Sequence, residues 1–432
     1  MGNSTKTLLW FVTAWTALLV VLLSPLSATG PLTGLGLAQR LGLDEAGRVG
    51  RIVMLYHSLS IPFVAALVYL ILDFLPFDGR YSHSIQPAIT AGYLLTSIGG
   101  LSFAYLRAGW IAHGVFLVGL SLTFYAGTLL WWGLSPWRAP ADGRRLERWA
   151  FWLMALCTLI SAIIGGATGA FFGHGFQAFL AEDVLRTERN LGQRAIIAHL
   201  HIMLALIDVA LLLLVARRVG LNGRAYRIAM PFIIIGTIII APATWSVMVI
   251  EKIAHKIINV GAFVLLAGAA IVALYGMNGL IRERPGRSPL RALLSDPVRF
   301  GMLFQLLFVN LVVTIPGIWV AFNLDTVRQG DWAWERTFAV GHWHVLATLS
   351  AVVGLLLIVD RLEVKGLLRQ LVGWGVLTGS TVAFSAVQFY MFRQPGTVPA
   401  QAVILAIDAG IGLFLLALAA FLIGGKIVKE VK

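Results

Sequence analysis

The sequence predicts an all-α integral membrane protein with about twelve transmembrane helices, and two observations carry that prediction. The first is composition: of 432 residues, 59% are hydrophobic and 12% are charged, and the mean hydropathy is +0.85. No water-soluble fold buries so large a share of apolar side chains in its own core. The second is that apolar runs of about 20 residues, long enough to cross a bilayer as helices, recur along the chain with short connections.

The predicted runs follow one another from the first residues to the last. The first of them follows a segment with the single lysine Lys6 and is not closed by a small-residue cleavage site, so it is predicted to be a retained helix. The twelve runs are residues 7–27, 52–75, 85–106, 110–134, 149–172, 195–217, 228–249, 253–277, 300–323, 341–361, 367–391 and 401–424.

Basic residues are concentrated in the connections that follow even-numbered runs. These are WRAPADGRRLER, ARRVGLNGRAYR, IRERPGRSPLRA and the tail GKIVKEVK. By the positive-inside rule they face the cytoplasm, which predicts a multi-pass protein of the cell (inner) membrane with both termini cytoplasmic. The formal charge of +13 then needs no nucleic-acid partner, and none is expected. Cys157 is the only cysteine, which excludes disulfide, CxxC and iron–sulfur ligand sets.

The chain contains an internal repeat. HSLSIPFVAALVYLILD from His57, HIMLALIDVALLLLVAR from His201 and HVLATLSAVVGLLLIVD from His344 are similar at intervals of 144 and 143 residues. WIAHGVFLVG and KIAHKIINVG place His113 and His255 142 residues apart. A fixed period predicts repeated units, here a pseudo-threefold bundle of four-helix repeats in a single membrane domain, 1–432. The repeats are about 85–218 and 228–361, with the third formed by 367–424 together with 1–75.

Histidines form the candidate site. Seven of the nine are predicted in the first turns of even-numbered runs and therefore at one depth: His57, His113, His199, His201, His255, His342 and His344. Polar side chains in hydrocarbon are costly unless they are bonded or liganded, which makes such residues functional candidates. His342 and His344 differ by roughly 200° around a helix, so one helix offers imidazoles to two neighbours.

Three explanations of the histidines compete with simple hydrogen bonds between helices. A zinc or copper site needs imidazoles around one point, and the opposed faces of each His-x-His pair argue against it. A proton or ion path needs acids in line, and only Asp208 and Asp408 are mid-membrane carboxylates. Haem needs axial histidines on facing helices and small residues beside them. The stretches SIGG (97–100), SAIIGGATGA (161–170) and VGAFVLLAGAA (260–270) could give that space, although close helix packing explains them equally well.

Two segments resemble the catalytic subunit of the haem-copper oxidase superfamily, especially its cbb-type oxidase and nitric oxide reductase branches. They are IPGIWVAFN with TFAVGHWHVLATLSAVVGLL in runs nine and ten, and GRIVMLYHSLSIPFVAAL in run two. The resemblance implies that His57 and His344 are the axial ligands of a low-spin haem and that His342 binds a second haem. The family's copper-site motifs are missing: run six reads AHLHIMLALIDV and run seven reads YRIAMPFIIIGTIII. The chain is therefore expected to be a divergent member without copper.

The threefold relation extends these assignments. His201 would face His342 and make the second haem six-coordinate, so that haem iron is held by His57, His344, His342 and His201. His199 would face another compartment, with His113 or His255 as its partner, and these pairings stay open. Two or three haems b are expected. Four residues outside the membrane, Arg328, Trp332, Trp334 and Arg336, either hold haem propionates or form an ordinary interfacial belt.

The expected function is electron transfer through six-coordinate haems, between an extracytoplasmic partner such as cytochrome c and a quinone or another haem, within a complex of redox subunits. Whether the chain is itself an enzyme is left open. One alternative is a divergent terminal oxidase or nitric oxide reductase, in which His201 does not bind haem and a non-haem metal is present. The other is a secondary transporter, whose folds also use internal repeats.

Overall fold

The computed structural model describes residues 3–23, 49–106, 109–138, 144–172, 191–330, 332–392 and 400–430, and these form helices joined by short turns, with no strand. The α-helices are α1 (Asn3–Leu23), α2 (Val49–Phe74), α3 (Gly79–Tyr105), α4 (Trp110–Gly133), α5 (Arg145–Phe172), α6 (Leu191–Arg218), α7 (Gly223–Arg282), α8 (Pro289–Leu294), α9 (Pro297–Val309), α10 (Ile315–Phe322), α11 (Leu324–Gly330), α12 (Trp332–Arg361), α13 (Gly366–Phe392) and α14 (Ala400–Glu430). A 3₁₀ turn covers Pro136–Arg138, and a π-helix, Asn310–Thr314, joins α9 to α10.

Nine segments of the described chain are long and apolar enough to span a bilayer: Met54–Phe74, Trp110–Gly133, Arg145–Gly169, Arg194–Arg218, Gly223–Arg282, Pro297–Phe322, Gly341–Arg361, Gly366–Phe392 and Gln401–Gly424. The chain is thus an all-α, multi-pass membrane protein in contact with lipid. The helices α1 and α3, which were also predicted as spans, are formed but are not among these nine.

The predicted position of the histidines at helix starts is wrong for most of them. Only His113, in α4, lies in a first turn; α2 begins eight residues before His57, and α12 begins ten residues before His342. The apolar segments do begin near these residues, at Met54 and Gly341. The helices extend further because polar residues before a run can still adopt helical geometry, which hydropathy does not register.

The 60-residue helix α7 is a helical hairpin that contains two of the predicted runs. Its backbone leaves helical geometry at Ile250, with φ −127° and ψ 56°. A Cβ on Gly236 would lie 2.6 Å from Leu265, and one on Gly261 would lie 3.0 Å from the backbone nitrogen of Ile240. These contacts pair residues on either side of Ile250, so the two limbs run antiparallel.

The chain divides into two compact units. Unit 1 comprises residues 1–24, 35–214 and 230–265, and unit 2 comprises residues 25–34, 215–229 and 266–432. In unit 1, α3 packs on α2 and α4. Its contact with α4 depends on glycines: a Cβ on Gly119 would lie 2.3 Å from the Thr96 nitrogen, and one on Gly99 would lie 2.5 Å from the Phe116 nitrogen. Small residues let these helices approach closely, as in other membrane proteins.

In unit 2, α9 and its π-helix run parallel to α13 at a constant register. The side chain of Gln370 donates to the Ser295 carbonyl, Gln305 donates to Ser380, and Gln388 donates to the Val312 carbonyl. The partners in these three pairs are 75, 75 and 76 residues apart, which fixes the two segments side by side in the same direction. Pro316 explains the last pair, because a proline lacks the N–H that would bond the carbonyl four residues earlier.

A cluster of charges ties together one end of unit 2. Asp360, 5% exposed, accepts from Arg218 at 2.5 Å and from Arg369 at 2.7 Å. Arg369 also pairs with Asp296, whose carboxylate caps the first turn of α9 at the Arg299 nitrogen. We call Arg218, Asp296, Asp360 and Arg369 the arginine cluster, and its end of the unit the arginine end. The other end, where α12 carries His342, is the histidine end.

Candidate functional site

Three predicted site residues come together in unit 1. The rings of His57 (α2) and His199 (α6) are nearly parallel, at 17°, with centres 6.5 Å apart. Phe116 lies beside His57 at 5.7 Å and beside His113 at 6.4 Å. We call His57, His113, His199 and Phe116 the histidine cluster. It brings residues from α2, α4 and α6 to one place.

The ring of His199 is fixed by α5. Its Nδ1 lies 2.9 Å from the Ser161 carbonyl oxygen and 3.3 Å from the Ser161 hydroxyl. A carbonyl only accepts, so Nδ1 carries the proton and donates, and in the neutral imidazole the lone pair is then on Nε2. Ligand histidines in proteins are commonly held in this way, with one ring nitrogen donating to a carbonyl and the other free to bind a metal.

Glycine provides the room for that ring. A Cβ on Gly165 would lie 2.4 Å from Cε1 of His199, closer than any real Cβ contact, so only glycine leaves the imidazole in place. Ser161 and Gly165 are four residues apart and therefore lie on one face of α5. Nothing lies within 4 Å of the Cβ positions of Gly166 and Gly169. Part of the predicted small-residue stretch 161–170 therefore faces His199, and part borders open space.

The other two small-residue stretches have glycines that pack against helices instead. Gly99 lies against the α4 backbone, and a Cβ on Gly100 would lie 2.4 Å from the Ser58 hydroxyl of α2. Gly261 lies against the opposite limb of α7. For these glycines of SIGG and VGAFVLLAGAA, close helix packing is the observed role.

Unit 2 repeats one feature of the histidine cluster. A Cβ on Gly317 would lie 2.8 Å from Cε1 of His342, so a glycine again gives room to an imidazole. Phe338, one turn earlier on α12, has its ring 5.5 Å from that of His342. His342 is half-buried, whereas His344, on the opposite side of α12, is exposed. One helix therefore presents its two imidazoles to different surroundings, as the 200° separation predicts.

The remaining site residues are placed as follows. His201 on α6 and His255 on α7 are each half-buried, as is Asp208, and Asp408 on α14 is 5% exposed. Trp334 donates from its indole nitrogen to the Met391 carbonyl and packs against Phe338. The side chains of Arg328, Trp332 and Arg336 lie outside the described part of the structure.

The histidine pairs are of two kinds: some lie within one unit, and others join residues of both units. The predicted pairs His57 with His344 and His201 with His342 each join residues of the two units, and they stay predictions. The closeness of His57 and His199 was missed, because the resemblance assigned His57 only to His344. A local signal was present in the sequence: Ser161 and Gly165 mark a face of α5 that can receive a side chain.

Among the described residues, no group of three or more His, Cys, Asp or Glu side chains is arranged to hold a metal ion. That observation concerns sites built from protein ligands alone, which need three or four of them. A haem iron takes four nitrogens from its own macrocycle and needs one or two protein side chains. No known protein family and no curated protein sequence matches this chain.

Proposed function

We propose that the chain is a haem-binding membrane cytochrome that transfers electrons within or across the bilayer. The observation that carries the proposal is the pair of nearly parallel imidazoles, His57 and His199, whose centres are 6.5 Å apart. Two imidazoles bound to one metal, each with its nitrogen about 2 Å away, would have ring centres about 6 Å apart.

The residues present fit a haem iron as ligands. His199 has its proton fixed on Nδ1 by the Ser161 carbonyl, which leaves Nε2 as the binding atom. Gly165 leaves room for the His199 ring, and the apolar ring of Phe116 lies beside both His57 and His113. If His57 and His199 both held the haem iron, the haem would supply electron transfer, because no position on the iron would remain for substrate. The chain's own part is to fix the ligand rings and exclude water around them.

The proposal includes two alternative partners for His57. One is His199, favoured by their spacing in unit 1. The other is His344, implied by the resemblance to the haem-copper oxidase superfamily, in which case His342 and His201 bind a second haem. Two or three haems b and no copper are proposed.

The proposal also includes the orientation of the chain in the membrane and its redox partners. The arginine end is placed on the cytoplasmic side, as are both termini, because Lys and Arg are concentrated there. The α7 hairpin, together with α1 and α3, supports a total of twelve spans. The pseudo-threefold arrangement of these spans rests on the sequence repeat alone. The histidine end then faces an extracytoplasmic donor such as a cytochrome c, with a quinone or another haem as acceptor and further redox subunits as neighbours.

The first experiment is a pyridine haemochrome assay on the purified full-length protein, with reduced and oxidised spectra before and after carbon monoxide. Two or three b-type haems per chain with little response to carbon monoxide are expected. A strong response would identify a five-coordinate haem and favour the oxidase or reductase alternative. Protein purified without any haem would overturn the proposal and revive the transporter.

Single substitutions of the histidines test which of them bind haem. His199→Ala is expected to lose the absorbance of one haem, and His83→Ala is the matched control, because His83 is exposed on α3 and outside the candidate set. Full haem content in His199→Ala, combined with loss in both His57→Ala and His344→Ala, would reject the His57–His199 pair and favour the pair implied by the resemblance.

A further inference from the structure

A row of polar side chains runs through unit 2 between α9, its π-helix and α13. It begins at Gln305, which is 0% exposed, and continues toward the histidine end along the register already described. We call it the polar seam; its members are Gln305, Asn310, Thr314, Ser380, Thr381 and Gln388. Asn310, Thr314 and Gln388 are half-buried, so burial decreases from Gln305 toward the histidine end.

The hydrogen bonds of Gln305 assign its amide atoms. Its Nε2 donates to the Ser380 hydroxyl at 2.9 Å and to the Thr381 hydroxyl at 3.1 Å. Each hydroxyl in turn donates to a backbone carbonyl of α13 and therefore must accept from Gln305. The amide nitrogen is thus on the correct side, and Oε1 faces away from these hydroxyls. No described residue donates to that oxygen, although it is fully buried.

A second buried acceptor oxygen without a described donor lies further along the seam. Asn310 donates to the Leu306 carbonyl, and Thr314 donates to Oδ1 of Asn310. Gln388 donates to the Val312 carbonyl, and its own Oε1, also buried, accepts from no described residue. The buried Oε1 atoms of Gln305 and Gln388 therefore accept from no described residue. Buried acceptors in native proteins are satisfied by protein or by ordered water.

The distance along the seam fits a short row of water molecules. Gln305 and Val312 are seven residues apart, a rise of about 10 Å along the helix. Three water molecules at the usual oxygen–oxygen separation of about 2.8 Å would bridge that distance. The π-helix in this interval is a second indication, because π-helical turns inside α-helices are frequent at functional sites.

The seam ends on apolar side chains toward the arginine end. One turn before Gln305, Gly301 lies against Leu356 and Leu377, with Cβ distances of 3.2 and 3.7 Å. Leu356 is 0% exposed and Met302 is 1% exposed. At the other end, Thr314 is followed one turn later by Gly317, which borders His342. The row of polar side chains therefore stops at Gln305 toward the arginine end, and in the other direction it comes within one helical turn of the glycine that borders His342.

We propose that the polar seam binds a chain of water molecules that reaches from the histidine end to Gln305, so that protons exchange between that end and the middle of unit 2. Such water molecules would donate to the buried Oε1 atoms of Gln305 and Gln388, which accept from no described residue. The proposal does not depend on haem, since it concerns side chains of α9, the π-helix and α13 alone.

The test uses Gln305→Glu, which keeps the size of the side chain and adds an exchangeable carboxyl proton. Infrared difference spectra of the purified full-length variant against the wild-type protein, in H₂O and after transfer to D₂O, follow its carboxylic acid C=O band. A hydrated seam predicts a downshift of the band at a rate at least an order of magnitude faster than in the control variant. Gln388→Glu carries the same test if the first variant does not assemble.

The control is Thr237→Asp on α7, where Thr237 is 1% exposed and its hydroxyl bonds only the helix's own Ile233 carbonyl. An acid there is buried without a polar row beside it, and slow exchange is expected. Equal exchange rates in the two variants, fast or slow, would overturn the proposal, because the seam would then admit water no better than any packed helix interface.

Discussion

The histidine cluster of unit 1 and the arginine cluster of unit 2 are both polar groups held among apolar helices, but they are satisfied in opposite ways. In the arginine cluster, every charge meets an opposite charge: Asp360 holds Arg218 and Arg369, and Arg369 holds Asp296. In the histidine cluster, Nδ1 of His199 donates to the Ser161 carbonyl, which leaves the lone pair of the neutral ring on Nε2. The first arrangement is complete within the protein, whereas the second is the one that we propose to bind haem.

This difference separates structural from functional polarity in a membrane protein. A buried charge without a partner is expensive, so removing one member of a closed ion-pair network is destabilising. A neutral imidazole costs less, and it can therefore be kept for binding. Substitutions in the two clusters are accordingly expected to differ, with stability lost in the first and ligand geometry in the second.

The largest expected loss of stability is for Asp360→Asn. Removing this charge leaves Arg218 and Arg369 without their shared carboxylate, and breaking a buried pair costs about 3 kcal/mol, the lower end of the usual range. The lower end applies because the Arg218 side chain is 35% exposed. Thermal unfolding of the purified protein in detergent measures the change.

The matched control for Asp360→Asn is Asp78→Asn. Asp78 pairs with Arg80 at 2.9 Å, but the two side chains are 46% and 83% exposed. Exposed pairs contribute little, so no change in the unfolding midpoint is expected. A similar loss in both variants would mean that the arginine cluster is no more important than an ordinary surface pair.

A smaller effect is expected for Gly165→Ala in the histidine cluster. The new Cβ would lie 2.4 Å from Cε1 of His199, so the ring must move away from the Ser161 carbonyl. Overpacking of this kind costs about 2 kcal/mol. Unfolding midpoints and haemochrome content of the same preparations measure both consequences, and haem content is expected to fall together with stability.

The adjacent residue provides the control. Nothing lies within 4 Å of a Cβ on Gly166, so Gly166→Ala is expected to retain full haem content and to gain up to about 1 kcal/mol from helix propensity. If Gly165→Ala behaved like Gly166→Ala, the His199 ring would not be held by the glycine face of α5.

The two clusters also show what could be predicted from sequence. Hydropathy locates the apolar segments well, because burial in lipid acts on each segment by itself; the run from 228 to 277 was even divided correctly near Ile250. Helix ends were predicted less well, as at His57 and His342, because helical geometry does not require apolar residues.

The candidate site was predicted only in part. The seven histidines could be selected from their spacing, but the closeness of His57 and His199 depends on how α2 and α6 are placed, which no local pattern encodes. The partner of Asp360 is a similar case, since Arg218 lies 142 residues away. The acceptor-rich seam was missed because Gln305 and Gln388 are single polar residues in apolar runs, and their register appears only in the fold.

The smallest expected effect is a pH dependence at the edge of the arginine end. Arg299 donates to both carboxylate oxygens of Glu283, at 2.6 and 2.9 Å, and this hydrogen bonding holds the pKa of Glu283 below its usual value. A lowered folded-state pKa means that the pair stabilises the protein fully above the unfolded pKa of about 4.3 and loses that stabilisation as the pH falls through the folded value.

The variant Glu283→Gln lacks this titration. Its unfolding midpoint is therefore expected to lie slightly below that of the wild-type protein at neutral pH and to approach it as the pH falls from about 4.3 through the lowered folded-state pKa of Glu283. The difference is small because Glu283 is 50% exposed and water screens the pair. Midpoints measured at several values between pH 3 and pH 7 test this. A difference that does not change with pH would show that Arg299 contributes to stability through packing rather than through the charge of Glu283.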